Sequence, residues 1–365
     1  MRSGGRIENI DWYLLAAVAG LCVLGVVNLY SATRFSKPDL YVTQAAWIGL
    51  GVVVAVITAA FDYRIYERIA VPVYFLVGIL LVLVLVAGTK VYGSRRWLGI
   101  GGLGIQPSEL AKPALILMLA HYFHNDERLP SKGYSLWQLK WPLVMILVPV
   151  ILILKEPDLG TAGVFLLIGA SMVMFMGVNR KNLMVGAAAL LIALPIAWFF
   201  LLHDYQRARI MSFVNPGADA LGAGYHALQS MIAIGSGGLY GKGFMKGTQT
   251  QLDFLPEQHT DFIFSVFAEE WGFIFASLVI LMYLVIIYRA LVIAGRARER
   301  FGTLVAVGVA SMVFWHVFIN VGMVLGLMPV VGVTLPYFSY GGSSILMFMI
   351  GIGLLINISM RRYLF

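Results

Sequence analysis

Val71-Pro72-Val73-Tyr74-Phe75-Leu76-Val77-Gly78-Ile79-Leu80-Leu81-Val82-Leu83-Val84-Leu85-Val86-Ala87 runs for seventeen residues without a charge. A helix that crosses a bilayer needs about 20 mostly apolar residues, with about 17 at the short limit. Backbone in hydrocarbon must satisfy its own hydrogen bonds, so a lipid-facing span has to be a helix. Working outward, nine more stretches read the same way: residues 12–30, 41–60, 107–123, 142–154, 161–176, 183–202, 262–288, 302–327 and 343–359. A glycine-rich stretch, 92–106, separates the third and fourth, and Lys155-Glu156-Pro157-Asp158-Leu159-Gly160 separates the short fifth and sixth. The chain is 60% hydrophobic and 12% charged, far from the roughly one-quarter charged composition of soluble domains. The fold class is therefore an all-α membrane protein of about ten transmembrane helices, with residues 1–365 forming one domain. Cys22 is the single cysteine, which excludes an intrachain disulfide and a thiolate metal site. The first apolar run is too long for a signal-peptide core and reads as an uncleaved span.

Lys and Arg set the orientation. With the N-terminus inside, the inner face carries 15 Lys and Arg against 7 acids, and the outer face 11 against 11. The net charge of +8 thus lies on one face, which puts both termini in the cytoplasm and removes nucleic acid as the reason for the basic balance. The longest loop, 203–260, is then extracytoplasmic, between helices 7 and 8, and its apolar stretch 225–234 reads as an interfacial or re-entrant helix. Loops of that length are usually functional or disordered, so function belongs on the outer face.

Three outer clusters carry the chemistry. The first joins Ser94-Arg95-Arg96-Trp97 to Gln106-Pro107-Ser108-Glu109-Leu110-Ala111-Lys112; Glu109 and Lys112, three apart, share a helix face. The second is Lys155-Glu156-Pro157-Asp158, and the third runs from Gln251 to Glu270. Ionisable groups at membrane depth are costly and by default mark a functional site. A structural reading stands beside each. Lys112, Lys155 and Asp158 read equally as interhelical ion pairs, Arg95 and Arg96 as snorkelling cations, Glu269 and Glu270 as packing residues, and Asp261 as the N-cap of the eighth span. Gly235-Ser236-Gly237-Gly238-Leu239-Tyr240-Gly241-Lys242-Gly243 lacks the residues of a phosphate loop. Gly322-x-x-x-Gly326 reads as a close-packing helix motif. The residues alone leave a transporter and an enzyme both open; an enzyme here, away from ATP, would need a pre-activated substrate.

Phe254-Leu255-Pro256-Glu257-Gln258-His259-Thr260-Asp261-Phe262-Ile263-Phe264 resembles the signature of the shape, elongation, division and sporulation family, and Pro336-Tyr337-Phe338-Ser339-Tyr340-Gly341-Gly342-Ser343-Ser344 resembles its C-terminal signature. Arg95-Arg96-Trp97 with Gln106-Pro107-Ser108-Glu109 and Lys112, and Glu156-Pro157-Asp158-Leu159-Gly160-Thr161, resemble two more. Thr248-Gln249-Thr250-Gln251-Leu252 and Met328-Pro329-Val330-Val331-Gly332-Val333 look like the elongation member rather than the division member. The resemblance implies ten transmembrane helices in the bacterial cytoplasmic membrane and a peptidoglycan glycosyltransferase that polymerises lipid II. Alternatives of other classes are a lipid II flippase and a non-catalytic scaffold. The implied partner is a class B penicillin-binding protein, held through helices 8 and 9 at Gly322-x-x-x-Gly326; other elongation-machinery proteins are further candidates.

On this resemblance Asp261 matches the family's essential aspartate and is the expected catalytic base. The helix N-terminus beside it is expected to favour its ionised form, with burial or Glu257 opposing. Arg95, Arg96, Lys112, Lys155, Arg207 and Arg209 are the candidate anion contacts. Trp97, Glu109, Asp158, Glu257, His259 and Thr260 complete the candidate substrate-binding set. The sequence names no metal ligands; a divalent cation, Mg2+ or Mn2+, is the one cofactor that pyrophosphate chemistry leaves open.

Overall fold

The computed structural model describes residues 8–34, 37–91, 94–100, 103–128, 130, 133–202, 204–214, 223–252, 254–255 and 257–361. Arg2, Arg6, Lys132 and Arg362 of the charge count, and residues 203, 215–222, 253 and 256 of the long loop, lie outside these. All ten predicted spans are helices: α1 (Trp12–Thr33), α2 (Leu40–Ala60), α3 (Tyr63–Ala87), α4 (Pro107–His124), α5 (Lys140–Lys155), α6 (Leu159–Phe175), α7 (Arg180–Ile196), then, beyond the long loop, α11 (Ile263–Arg296), α12 (Arg300–Val324) and α13 (Gly342–Arg361). The loop itself holds α8 (Asp204–Val214), α9 (Ala223–Gly237) and the single turn α10 (Thr248–Gln251). Among the described residues, seven helices are long and apolar enough to cross a bilayer: α1, α2, α3, α7 with its continuation, α11, α12 and α13. α4, α5 and α6 have 18, 16 and 17 residues, about 24–27 Å at 1.5 Å per residue.

Helix starts follow sequence rules. Asp11 accepts from the Leu14 amide at 3.1 Å, Asp62 from Arg64, and Asp158 from Thr161, each as an N-cap. Pro107 opens α4, where a missing amide hydrogen costs nothing. The glycine-rich stretch is not a plain loop. β1 (Thr89–Val91), β2 (Ser94–Ile100) and β3 (Leu103–Ile105) form an antiparallel meander over the C-terminal end of α3 and the N-terminal end of α4.

α4, α12 and α13 are buried along most of their length, whereas α2 and α3 turn Val52, Val56, Leu76 and Ile79 outward. Side-chain amides bind neighbouring backbones: Asn28 donates to the Ile263 carbonyl and Asn357 to the Thr58 carbonyl, both at 2.8 Å. Such bonds compensate for the weak hydrophobic drive between helices in lipid. α7 shows no buried residue among those described and stands away from the bundle.

Two glycine motifs change meaning. α11 is broken at Gly272 (φ 77°, ψ −176°), and the Gly235–Gly243 segment fills the break. Its Lys242 and Gly243 amides donate to the Glu269 and Glu270 carbonyls, while the Phe273 amide donates to Gly238. A Cβ on Gly272 would lie 2.3 Å from the Gly241 nitrogen. Gly322 and Gly326 do not form a helix-contact face. α12 ends at Val324; Gly326 has φ 69°, its amide bonds Met323 and the Leu327 amide bonds Gly322, which is a Schellman terminus. The two glycines face Met328 and Met231 of the same chain, so the expected partner contact there is corrected to internal packing.

Candidate active site

The turn 257–262 begins at Glu257, whose φ is 49°, and is tied shut by Thr260 and Phe262 amides bonding back to the Glu257 carbonyl. Three outside groups hold it. Ser339 donates to the Thr260 carbonyl at 2.7 Å, the Tyr340 amide to His259 at 3.0 Å, and Asn320 of α12 to Asp261 at 3.0 Å. The C-terminal signature therefore serves as a backing for the first. With its backbone fixed, Asp261 presents its carboxylate to a cavity of about 1290 Å³.

Ten of the thirteen candidate residues line that cavity: Arg96, Trp97, Glu109, Lys112, Asp158, Arg209, Glu257, His259, Thr260 and Asp261. Arg95, Lys155 and Arg207 are not among its lining residues. Arg95 is exposed and donates to the Leu85 and Val86 carbonyls at the end of α3. Lys155 is exposed in the last turn of α5, where a cation complements the helix dipole. Arg207 donates to the Trp198 and Phe199 carbonyls. Sequence reasoning missed Trp47, Gln206, His316 and the backbone from Pro329 to Val333, all on the lining. His316 had a signal: with Asn320 it forms a polar pair, one turn apart, in an otherwise apolar span.

Asp261 is not a helix cap. Phe262 occupies the N-cap of α11, without a side-chain cap bond. Burial, joined by the charge of Glu257, pushes the Asp261 carboxyl up to about 6, against Arg209 and a hydrogen bond from Thr260. The expected depression by the helix N-terminus is thus overridden: withdrawal from water outweighs a partial charge. At pH 7 the group remains about nine-tenths ionised, yet more basic than an ordinary aspartate. Neighbouring His259 is held below its usual range, first by burial, and lies 3.8 Å from Glu257.

The other carboxylates are occupied differently. Asp158 accepts from the Thr161 amide and hydroxyl and from Gln106, and stands 3.8 Å from Arg96. Glu156 is buried, with both oxygens unpartnered among the described residues, and desolvation drives it up to about 8. Glu109 is ion-paired with Lys112 at 2.6 Å. Arg96 bonds the Glu156 and Pro157 carbonyls while reaching the cavity. Glu269 and Glu270 fall outside the lining: Glu269 bonds Lys242 at 2.6 Å and Glu270 accepts from Ser31. Among the described residues, three metal-ligating side chains converge within 4.8 Å at Glu67, His124 and Glu299, at the opposite end from the cavity.

The arrangement pairs one raised carboxylate with Arg96, Arg209 and Lys112 around a large cavity of mixed polar and apolar lining, which suits proton removal from a hydroxyl beside a departing anion. Residues 11–364 match the family model FTSW_RODA_SPOVE, described as cell cycle protein. The chain is 42% identical over 357 residues to the peptidoglycan glycosyltransferase MrdB of Escherichia coli strain K12, covering 97% of this chain and 94% of the relative. It is 32% identical to the peptidoglycan glycosyltransferase RodA of Treponema pallidum, covering 98% and 99%. Its fold matches a chain of a peptidoglycan synthase complex that coordinates polymerization and crosslinking, with a TM-score of 0.83, 34% identity and coverage of 98% and 99%. It also matches crystalline Thermus thermophilus RodA, with a TM-score of 0.72, 33% identity and coverage of 97% and 98%. By sequence along nearly its whole length, and by fold, this chain belongs to the FtsW, RodA and SpoVE family of cell cycle proteins.

Proposed function

We propose that this chain is a peptidoglycan glycosyltransferase that polymerises lipid II on the outer face of the bacterial cytoplasmic membrane, for cell elongation. The observation that carries this reading is Asp261, held by Asn320 in a turn on the wall of a cavity that Arg96 and Arg209 also line. The acceptor GlcNAc 4-hydroxyl attacks the donor MurNAc anomeric carbon and gives its proton to Asp261. The bond from that carbon to the pyrophosphate oxygen breaks, and undecaprenyl pyrophosphate leaves with the electron pair. Arg96 and Arg209 offset the charge that builds on the leaving group. Both termini lie in the cytoplasm, so the long loop and the cavity face outward. The 15-to-11 split of basic residues supports this.

The partner is a class B penicillin-binding protein that cross-links the product; similarity to a chain of a peptidoglycan synthase complex supports an assembly of this kind. Its seat is α11 with α12, where Ile274, Leu278 and Leu281 form an exposed stripe at helical spacing. The test is purified chain with its partner, lipid II in detergent, and a gel of glycan strands. Polymer is expected; transport of lipid II across vesicles without polymer would make the chain a flippase instead.

A further inference from the structure

Lys112, Glu109 and His316 lie one per cent, six per cent and one per cent exposed inside the bundle, on the cavity lining. Lys112 Nζ meets Glu109 Oε1 at 2.6 Å and His316 Nε2 at 2.9 Å. His316 Nδ1 stands 2.7 Å from the Met312 carbonyl, which can only accept, so Nδ1 donates and Nε2 accepts from the ammonium. Two of the three Lys112 N–H bonds are thereby placed. Glu109 Oε2 is buried with no hydrogen-bond partner among the described residues. An ion pair that served packing alone would leave a costly unsatisfied oxygen here. Instead the pair places one open acceptor beside one remaining donor among the side chains that line the cavity.

Their place in the fold selects the occupant. Asn320, which anchors the Asp261 carbonyl, is four residues beyond His316 on α12, one turn, or about 6 Å along the axis. The Glu109–Lys112 pair thus lies about one sugar ring deeper than the base. We propose that it reads the C2–C3 edge of the acceptor hexosamine, beside the attacking 4-hydroxyl: Glu109 Oε2 accepts from the 2-acetamido N–H, and Lys112 donates to the neighbouring 3-oxygen. Vicinal ring substituents offer a donor and an acceptor side by side, at a spacing of the same order as the 2.6 Å ion pair. This rests on the glycosyltransferase reading above.

The test uses the chain with its partner and three acceptors: lipid II, its analogue with the GlcNAc 2-acetamido group replaced by hydrogen, and the 3-deoxy analogue. A buried site built to bond a substrate group rejects a substrate lacking it, so kcat/KM should fall by about 100-fold or more for each analogue. In the double variant Glu109→Leu with Lys112→Met, an apolar pair of similar volume, the preference should shrink below about tenfold. Equal use of lipid II and both analogues by the unaltered chain overturns the proposal, as does a preference undiminished in the double variant. Failure to polymerise lipid II itself would instead overturn the glycosyltransferase reading.

Discussion

At the scale of single residues, the environment of a carboxylate decides its work. Asp261 and Glu156 are both raised by desolvation, to about 6 and about 8, but one faces the cavity and the other does not. A base must be deprotonated, so raising its pKa moves the loss of activity toward neutrality. The polymerisation rate should fall about tenfold per pH unit below about 6; an acid limb near 4 would contradict the assignment. For Glu156 the sign concerns stability. Its folded pKa lies above the ordinary glutamate value of 4.5, so the folded state holds a proton that the unfolded chain releases, and a stability cost grows from about pH 4.5 to about 8. Glu156→Gln should therefore raise the melting temperature at pH 7, and the gain should vanish at pH 4. Among the arginines, Arg96 lines the cavity and Arg95 does not. Arg96→Gln should raise the lipid II concentration for half-maximal rate by about 10- to 100-fold, as expected for a lost charge-assisted bond of about 1.5–3 kcal/mol. Arg95→Gln should leave it nearly unchanged.

At the scale of elements, the helices were legible because apolar length is a strong signal; the start of α3 was not, because Asp62 caps a charged first stretch with Arg64, Glu67 and Arg68 that precedes the apolar run. The meander of β1 to β3 was not: three short strands rich in glycine carry no clear alternation. Nor was the Gly272 break, since an isolated glycine in an apolar run is ordinary and its φ of 77° depends on the Gly241 backbone thirty residues earlier. Gly322 and Gly326 matched a contact motif, yet the helix ends between them in a Schellman turn at Gly326. With that site internal, the partner test moves to α11. Replacing Ile274, Leu278 and Leu281 with Ala should lower co-purification of the penicillin-binding protein severalfold without changing polymer-free folding; unchanged recovery would assign the stripe to lipid.

At the scale of the whole molecule, the chain has two different ends. One gathers Arg289 with Asp11, Arg64 with Glu299 and Arg361 with Asp62; the other gathers the meander, the long loop and the cavity. The candidate residues from Arg96 to Asp261 reached the site through separate motifs, each readable in sequence, but the separation of Arg95, Lys155 and Arg207 from Arg96 and Arg209 depends on which way each side chain leaves its backbone. Single cysteines placed in a Cys22→Ser background and probed with an impermeant thiol reagent should label near Lys242 and stay unlabelled near Arg298 in cells stripped of their outer barrier; the reverse would invert the topology. The central claim is tested most directly by Asp261→Asn in the lipid II polymerisation assay with the partner present. Asn keeps the size of the side chain and cannot take a proton from a sugar hydroxyl. The variant should fold, bind its partner and lose about 100- to 10,000-fold in rate, whereas near-normal glycan synthesis would contradict Asp261 as the base.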